Sequence, residues 1–141
     1  MSNIVGLLGA RHPGALEEGG ETLQGVDNKE NLAKLGRANL YFFVRGILGY
    51  DWMVPHVHLG LCNFLQTYHP RKSVVLPRGF LKTTICSTAY PIWRAVNDPN
   101  IRFLIVQNKS DNARKIIQAI RMIFEKNQLF REVYPEIIPN F

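Results

Sequence analysis

The chain has 141 residues, enough for one ordinary domain core, and its composition, 46% hydrophobic and 20% charged, is that of a globular protein. No apolar run approaches the ~20 residues of a membrane-spanning helix. The net charge of +6 is unevenly placed: residues 1–70 hold 5 Lys/Arg and 6 Asp/Glu, residues 71–141 hold 12 and 5.

A basic second half suits polyanionic partners, whether a triphosphate or a DNA backbone, although a solvated helix face uses charge in the same way. Cys62 and Cys86 lie in apolar helical contexts and form no CxxC motif, which reads as two buried thiols in a reducing compartment. Residues 4–8 form a short apolar run with no basic residue before it, so no signal peptide is expected, and the chain reads as soluble and intracellular.

Six of the 11 glycines fall in the first 25 residues, among Pro13, Glu17, Glu18 and Glu21. Such a segment buries too little apolar area to offset its ordering entropy, so residues 1–28 read as a mobile tail. A helical lead-in spans 29–70. Its first part carries Leu32, Leu35, Leu40, Phe43, Val44 and Ile47 at broadly helical intervals, with Gly36 weakening the pattern. A second helix starts near Pro55 and sets Val57, His58, Leu61, Cys62 and Leu65 on one side. His56, His58, Cys62 and His69 are metal-competent types, but this stretch reads better as a packed face than as a zinc site with four convergent ligands. Tyr41, Phe42 and Phe43 near Arg37 and Arg45 read as core packing rather than base stacking.

From residue 71 the period changes. Residues 74–76 read as a short buried strand, 83–90 as a helix that Pro91 should kink or end, and 97–100 as a turn. Residues 101–106 read as a second strand, and Ser110 or Asp111 as the cap of a helix carrying Ile116, Ile117, Ile120, Ile123 and Phe124. Strand, loop, helix, strand and helix imply parallel pairing: an α/β fold whose sheet is flanked by helices, with residues 71–141 as an incomplete nucleotide-binding domain.

The most informative stretch is Ser73-Val-Val-Leu-Pro-Arg-Gly-Phe-Leu-Lys-Thr-Thr84. A β-branched run ends in a turn that delivers Lys82 and Thr83 to the start of a helix. That is the order of parts in a phosphate-binding loop, where backbone N–H groups wrap the phosphates, Lys reaches the β/γ-phosphates and the hydroxyl holds Mg²⁺. In the standard spacing G-x-x-x-x-G-K-[ST] the glycines would fall at Leu76 and Leu81. Either Gly79 takes the sharp bend on a different loop path, or the loop is a surface turn with a solvated Lys.

This stretch resembles the deviant Walker A loop of the large terminase subunit, the ATPase of tailed-phage DNA-packaging motors, in which an Arg commonly precedes the Lys by four residues, as Arg78 precedes Lys82. The similarity continues through residues 102–113 and through Asn127-Gln-Leu-Phe-Arg-Glu-Val-Tyr-Pro135, and upstream through 58–65. It covers about 40–141. The resemblance implies a P-loop-like parallel sheet and binding of ATP and Mg²⁺ through Arg78, Gly79, Lys82, Thr83 and Thr84. In those roles Lys82 neutralises phosphate charge, Thr83 ligates Mg²⁺ and Arg78 stabilises charge at the γ-phosphate. It also implies double-stranded DNA, a portal protein and a small terminase subunit as partners, a homo-oligomeric motor, and the host cytoplasm.

An apolar strand ending in paired carboxylates is missing from the sequence, as are the family's acidic nuclease ligands. The chain therefore reads as the front part of a packaging ATPase, inactive by itself. The alternative is a non-catalytic DNA- or protein-binding module of the same machinery.

Overall fold

Helices make up every regular element among residues 24–138, the part of the chain that the computed structural model describes. Helix α1 (Gln24–Ala38) begins inside the stretch expected as tail, whose residues 1–23 lie outside the described ones. Asn39 then breaks the chain direction: its backbone is extended and its side chain accepts a hydrogen bond from the Phe42 N–H at 2.9 Å. Helix α2 (Leu40–Phe42) starts there and runs straight into a π-helical turn, Phe43–Ile47. Helix α3 spans Pro55–Gln66, with Pro at its first position, where the missing N–H costs nothing.

After a loop, a helical run starts at Lys82. It contains the π-helical turn Thr84–Ala89 and continues as α4 (Tyr90–Asn97). Pro91 neither ends nor caps it. The ladder before it shifts to the wider register, with the Tyr90 N–H donating to the Ile85 carbonyl, and the proline ring is accommodated within a continuous helix. Helices α5 (Ser110–Lys126) and α6 (Gln128–Val133) and a 3₁₀ turn (Pro135–Ile137) complete the chain. The residue before α5 is Lys109, and no side chain caps that end, in place of the expected Ser110 or Asp111 cap.

The core follows from helical spacing. Leu40, Phe43, Val44 and Ile47, and again His58, Leu61, Cys62 and Leu65, stand at i, i+3, i+4 and i+7 and are all buried. Ile85, Ala89, Ile92 and Val96 supply the facing wall. Phe130 closes the core with its ring edge-on to Phe43 (6.2 Å between centroids) and to Phe124 (5.3 Å). Tyr134, also fully buried, donates from its hydroxyl to the Ala33 carbonyl at 3.1 Å and so ties the end of the chain to α1. Gly36 is required at that junction, because a Cβ there would collide with Tyr134 Oη and Ile47 Cδ1.

The expected parallel sheet does not form: among the described residues there is no strand, and the fold is all-helical rather than α/β with a P-loop-like sheet. Residues 71–77 and 101–107 are irregular in structure, and among the described residues no backbone–backbone hydrogen bond pairs one with the other. A strand is defined by its ladder, so β-branched composition without a partner leaves open chain. Val74 and Leu76 lean on the helical core while Val75 between them is 88% exposed. That alternation is the period of a strand, present without the sheet.

Candidate functional site: the 76–84 loop

The loop is built from its ends inward. Leu76 is anchored against the core, and the helix beginning at Lys82 is anchored by Ile85, which is fully buried and whose N–H donates to the Leu81 carbonyl at 2.8 Å. Between these anchors the chain must reverse within a few residues. Gly79 does so at φ 87°, and Leu81 does so again at φ 52°. The open space around Gly79 would admit a Cβ, so its left-handed backbone is what requires glycine there.

Leu81 is the only non-glycine residue with positive φ among the described residues. For a leucine that conformation costs roughly 1–2 kcal/mol. The offset is visible: the Leu81 side chain is half-buried and packs against the core cluster. The sequence leaves two paths open, a sharp bend at Gly79 or a plain surface turn, with Leu81 where the standard spacing has glycine. The structure has both positions left-handed, so the position where the standard spacing calls for glycine does adopt a glycine-like backbone here.

Phe80 between them has negative φ, and Lys82 is helical, so the signs alternate from Gly79 to Lys82. Alternation of backbone hand is the feature such a turn shares with anion-binding nests, in which successive right- and left-handed helical residues bring their N–H groups together. The helix that starts here adds its own unpaired N–H groups and the positive end of its dipole. All five residues expected at the site, Arg78, Gly79, Lys82, Thr83 and Thr84, are brought into this turn and the first helical residues. Arg78 and Thr83 are exposed, and Lys82 and Thr84 are half-buried. Lys82 Nζ donates to the Leu76 carbonyl at 3.3 Å, across the mouth of the loop. Arg78 makes no hydrogen bond or ion pair among the described residues.

The donor set fits a phosphate group: two cationic side chains, two threonine hydroxyls and the N–H groups of a helix start, with no carboxylate within the turn. Among the described residues no three His, Cys, Asp or Glu side chains gather as a metal cluster. Thr83 and Thr84 place two hydroxyls in the first turn of this helix, Thr83 the more exposed of the two. One turn further, burial raises the Cys86 thiol pKa while the Lys82 charge pulls it back. Burial, and then the neighbouring Cys86, push Cys62 up to about 12. These thiols stay protonated at neutral pH and act as packing.

In the sequence Asn127, Phe130 and Tyr134 stand within one motif-like stretch, and the structure gives each a separate role. Asn127 Oδ1 accepts from the Phe130 N–H at 2.9 Å, and its Nδ2 donates to the Leu48 carbonyl at 3.1 Å. Their work is structural. The signal was legible in principle, since Asn before an apolar short helix is a cap pattern.

Fold and site together define an all-helical chain with a basic, doubly left-handed loop at a helix start. No family model, no curated protein and no solved structure matches it. Among the described residues no helix is long and apolar enough to cross a membrane.

Proposed function

We propose that residues 78–84 bind the phosphates of ATP with its Mg²⁺, and that the chain is the nucleotide-binding front part of a DNA-packaging motor ATPase of the terminase kind. The observation that carries this reading is the alternation of backbone sign from Gly79 to Lys82 at the start of a helix. An outlier such as Leu81 persists only where its surroundings enforce it, and such outliers concentrate at ligand clamps. The terminase-like order of motifs in the sequence supplies the choice of ATP over other anions. Bound Mg²⁺ would screen charge between adjacent phosphates. Lys82 would exchange its loop carbonyl for a phosphate oxygen, Thr83 would offer its hydroxyl, and the unpaired Arg78 would bring a second cation. Double-stranded DNA, a portal protein, a small subunit and further copies of the chain are the partners this reading implies.

The test is calorimetric titration of the chain with ATP–Mg²⁺. Lys82→Ala should weaken binding about tenfold or more, the scale of one charge-assisted hydrogen bond. Equal affinity in variant and parent sinks the assignment.

A second reading, a non-catalytic DNA-binding module, is favoured by cations that have no partner among the described residues, Arg71, Arg102, Lys109 and Lys115 among them. Salt-dependent duplex binding that ignores Lys82→Ala, with no response to ATP, would select it.

A further inference from the structure

Residues 101–107 leave the turn after α4 and reach α5 without joining any regular element. Phe103 and Ile105 face a cleft of about 210 Å³ lined also by Ile92, Ala95, Ile120 and Phe124. The residues between and after them point away: Leu104 is 89% exposed and Val106 75%. Side chains at alternate positions thus take opposite sides, as on a strand. Among the described residues the backbone N–H and C=O groups of residues 102–106 make no hydrogen bond. The segment therefore has the alternation, the apolar composition and the open main chain of a strand edge that lacks its neighbour.

We propose that residues 101–106 are a docking edge for an extended acidic–apolar segment of another polypeptide, joined main chain to main chain. The open backbone groups specify an extended polypeptide, because no other partner offers donors and acceptors at the same repeat. The apolar side chains on both sides specify a partner with apolar residues to lay beside Leu104 and Val106. Charge specifies the rest. Residues 101–115 carry Arg102, Lys109, Arg114 and Lys115 against Asp111 alone. Asp111 lies 3.7 Å from Arg114, which leaves Arg102, Lys109 and Lys115 without an ion pair among the described residues. A second copy of this chain would bring the same three unpaired cations to the joint, and their summed repulsion opposes pairing, whereas carboxylates on the incoming segment would meet them. None of this rests on the phosphate-loop reading, which concerns other residues.

The test uses the full chain and a capped peptide of about seven residues in which valine alternates with glutamate. Binding is followed residue by residue through amide resonances and amide hydrogen exchange. The expected result is saturable binding, with exchange slowed at residues 103–106. Methylating the peptide's backbone nitrogens, or replacing its glutamates by lysine, should weaken binding about tenfold or more. Leu104→Asp and Val106→Asp should do the same while leaving the melting temperature unchanged, since both side chains already stand in solvent. The proposal is overturned by an absence of saturable binding or by equal binding of the methylated peptide. It is also overturned by protection of residues 103–106 that grows with protein concentration in the absence of peptide, which would make a second copy the occupant.

Discussion

Lys82 and Leu76 are joined across the mouth of the loop, the Lys82 ammonium donating to the Leu76 carbonyl at 3.3 Å. The bond is long and its acceptor neutral, so it holds the cation in place without holding it tightly. A phosphate oxygen offers the same ammonium a shorter, charge-assisted bond. The resting loop thus keeps Lys82 near where an anion would sit while leaving it free to change partner.

That relationship separates stability from binding at one residue. Lys82→Met keeps the aliphatic stem and removes the charge. Its unfolding free energy in urea should change by less than about 1.5 kcal/mol, the upper range for one hydrogen bond. Its ATP–Mg²⁺ affinity should fall about tenfold or more, as for Lys82→Ala. A large loss of stability would mean that the Leu76 bond organises the loop rather than merely resting the side chain.

Leu81→Gly tests the left-handed backbone. Glycine relieves roughly 1–2 kcal/mol of strain at φ 52°. It forfeits the half-buried side chain and adds roughly 0.5–1 kcal/mol of chain entropy to the unfolded state. These terms nearly cancel, so the expected change in stability is within about 1 kcal/mol. Nucleotide affinity should hold or tighten, because the conformation is already the one glycine prefers. Loss of binding would show that the Leu81 side chain, packed on the core, keeps the loop in its anion-ready form.

Gly36→Ala should be among the most damaging single-methyl changes in the chain. The added Cβ meets Tyr134 Oη and Ile47 Cδ1, both on buried side chains, so two neighbours must shift, while the Gly36 carbonyl, which accepts from Trp93 Nε1 at 2.8 Å, limits how far the backbone can yield. A loss of about 1–3 kcal/mol is expected from overpacking, against the gain of up to about 1 kcal/mol an alanine gives an unencumbered helix. A higher melting temperature in the variant would contradict the close approach.

Asn127→Ala removes both a helix cap and a bond to the Leu48 carbonyl. Chemical denaturation should show a loss of about 0.5–2 kcal/mol for the cap alone. Asn127→Asp keeps the accepting oxygen and so should recover most of the cap but not the Leu48 contact.

Alkaline pH should destabilise the fold in a way that reports on buried groups. Burial raises Cys62 from an ordinary thiol value to about 12, and burial likewise raises the Tyr134 phenol to about 12. A folded-state pKa above the unfolded one means that the native state holds its proton longer. The associated stability is complete below the unfolded pKa, near 9 for the thiol, and drains away as pH rises toward about 12. Melting temperature should therefore fall over that window. Cys62→Ala should show a shallower slope than the parent, and an identical slope would remove the thiol from the account.

The sequence by itself determined the helices that bury one stripe: the i, i+3, i+4, i+7 spacing of Leu40, Phe43, Val44 and Ile47, and of His58, Leu61, Cys62 and Leu65, suffices because a helix closes its own hydrogen bonds. It also determined the order Arg78, Gly79, Lys82, Thr83, Thr84 and the placement of that turn at a helix start. Three things were decided only in three dimensions. Residues 74–76 and 101–106 have the composition of strands, but a strand's hydrogen bonds belong to a neighbour, and no neighbour exists among the described residues. Pro91 is expected to kink or end its helix; the helix does not end there, because a shift of the preceding turn to the wider π register lets it pass through. Leu81 reads as a residue unsuited to its position, yet burial of its side chain against the core holds it in the left-handed conformation the loop requires. In each case the local preference was real, and it was overruled or left unfulfilled by a contact that the linear sequence does not record.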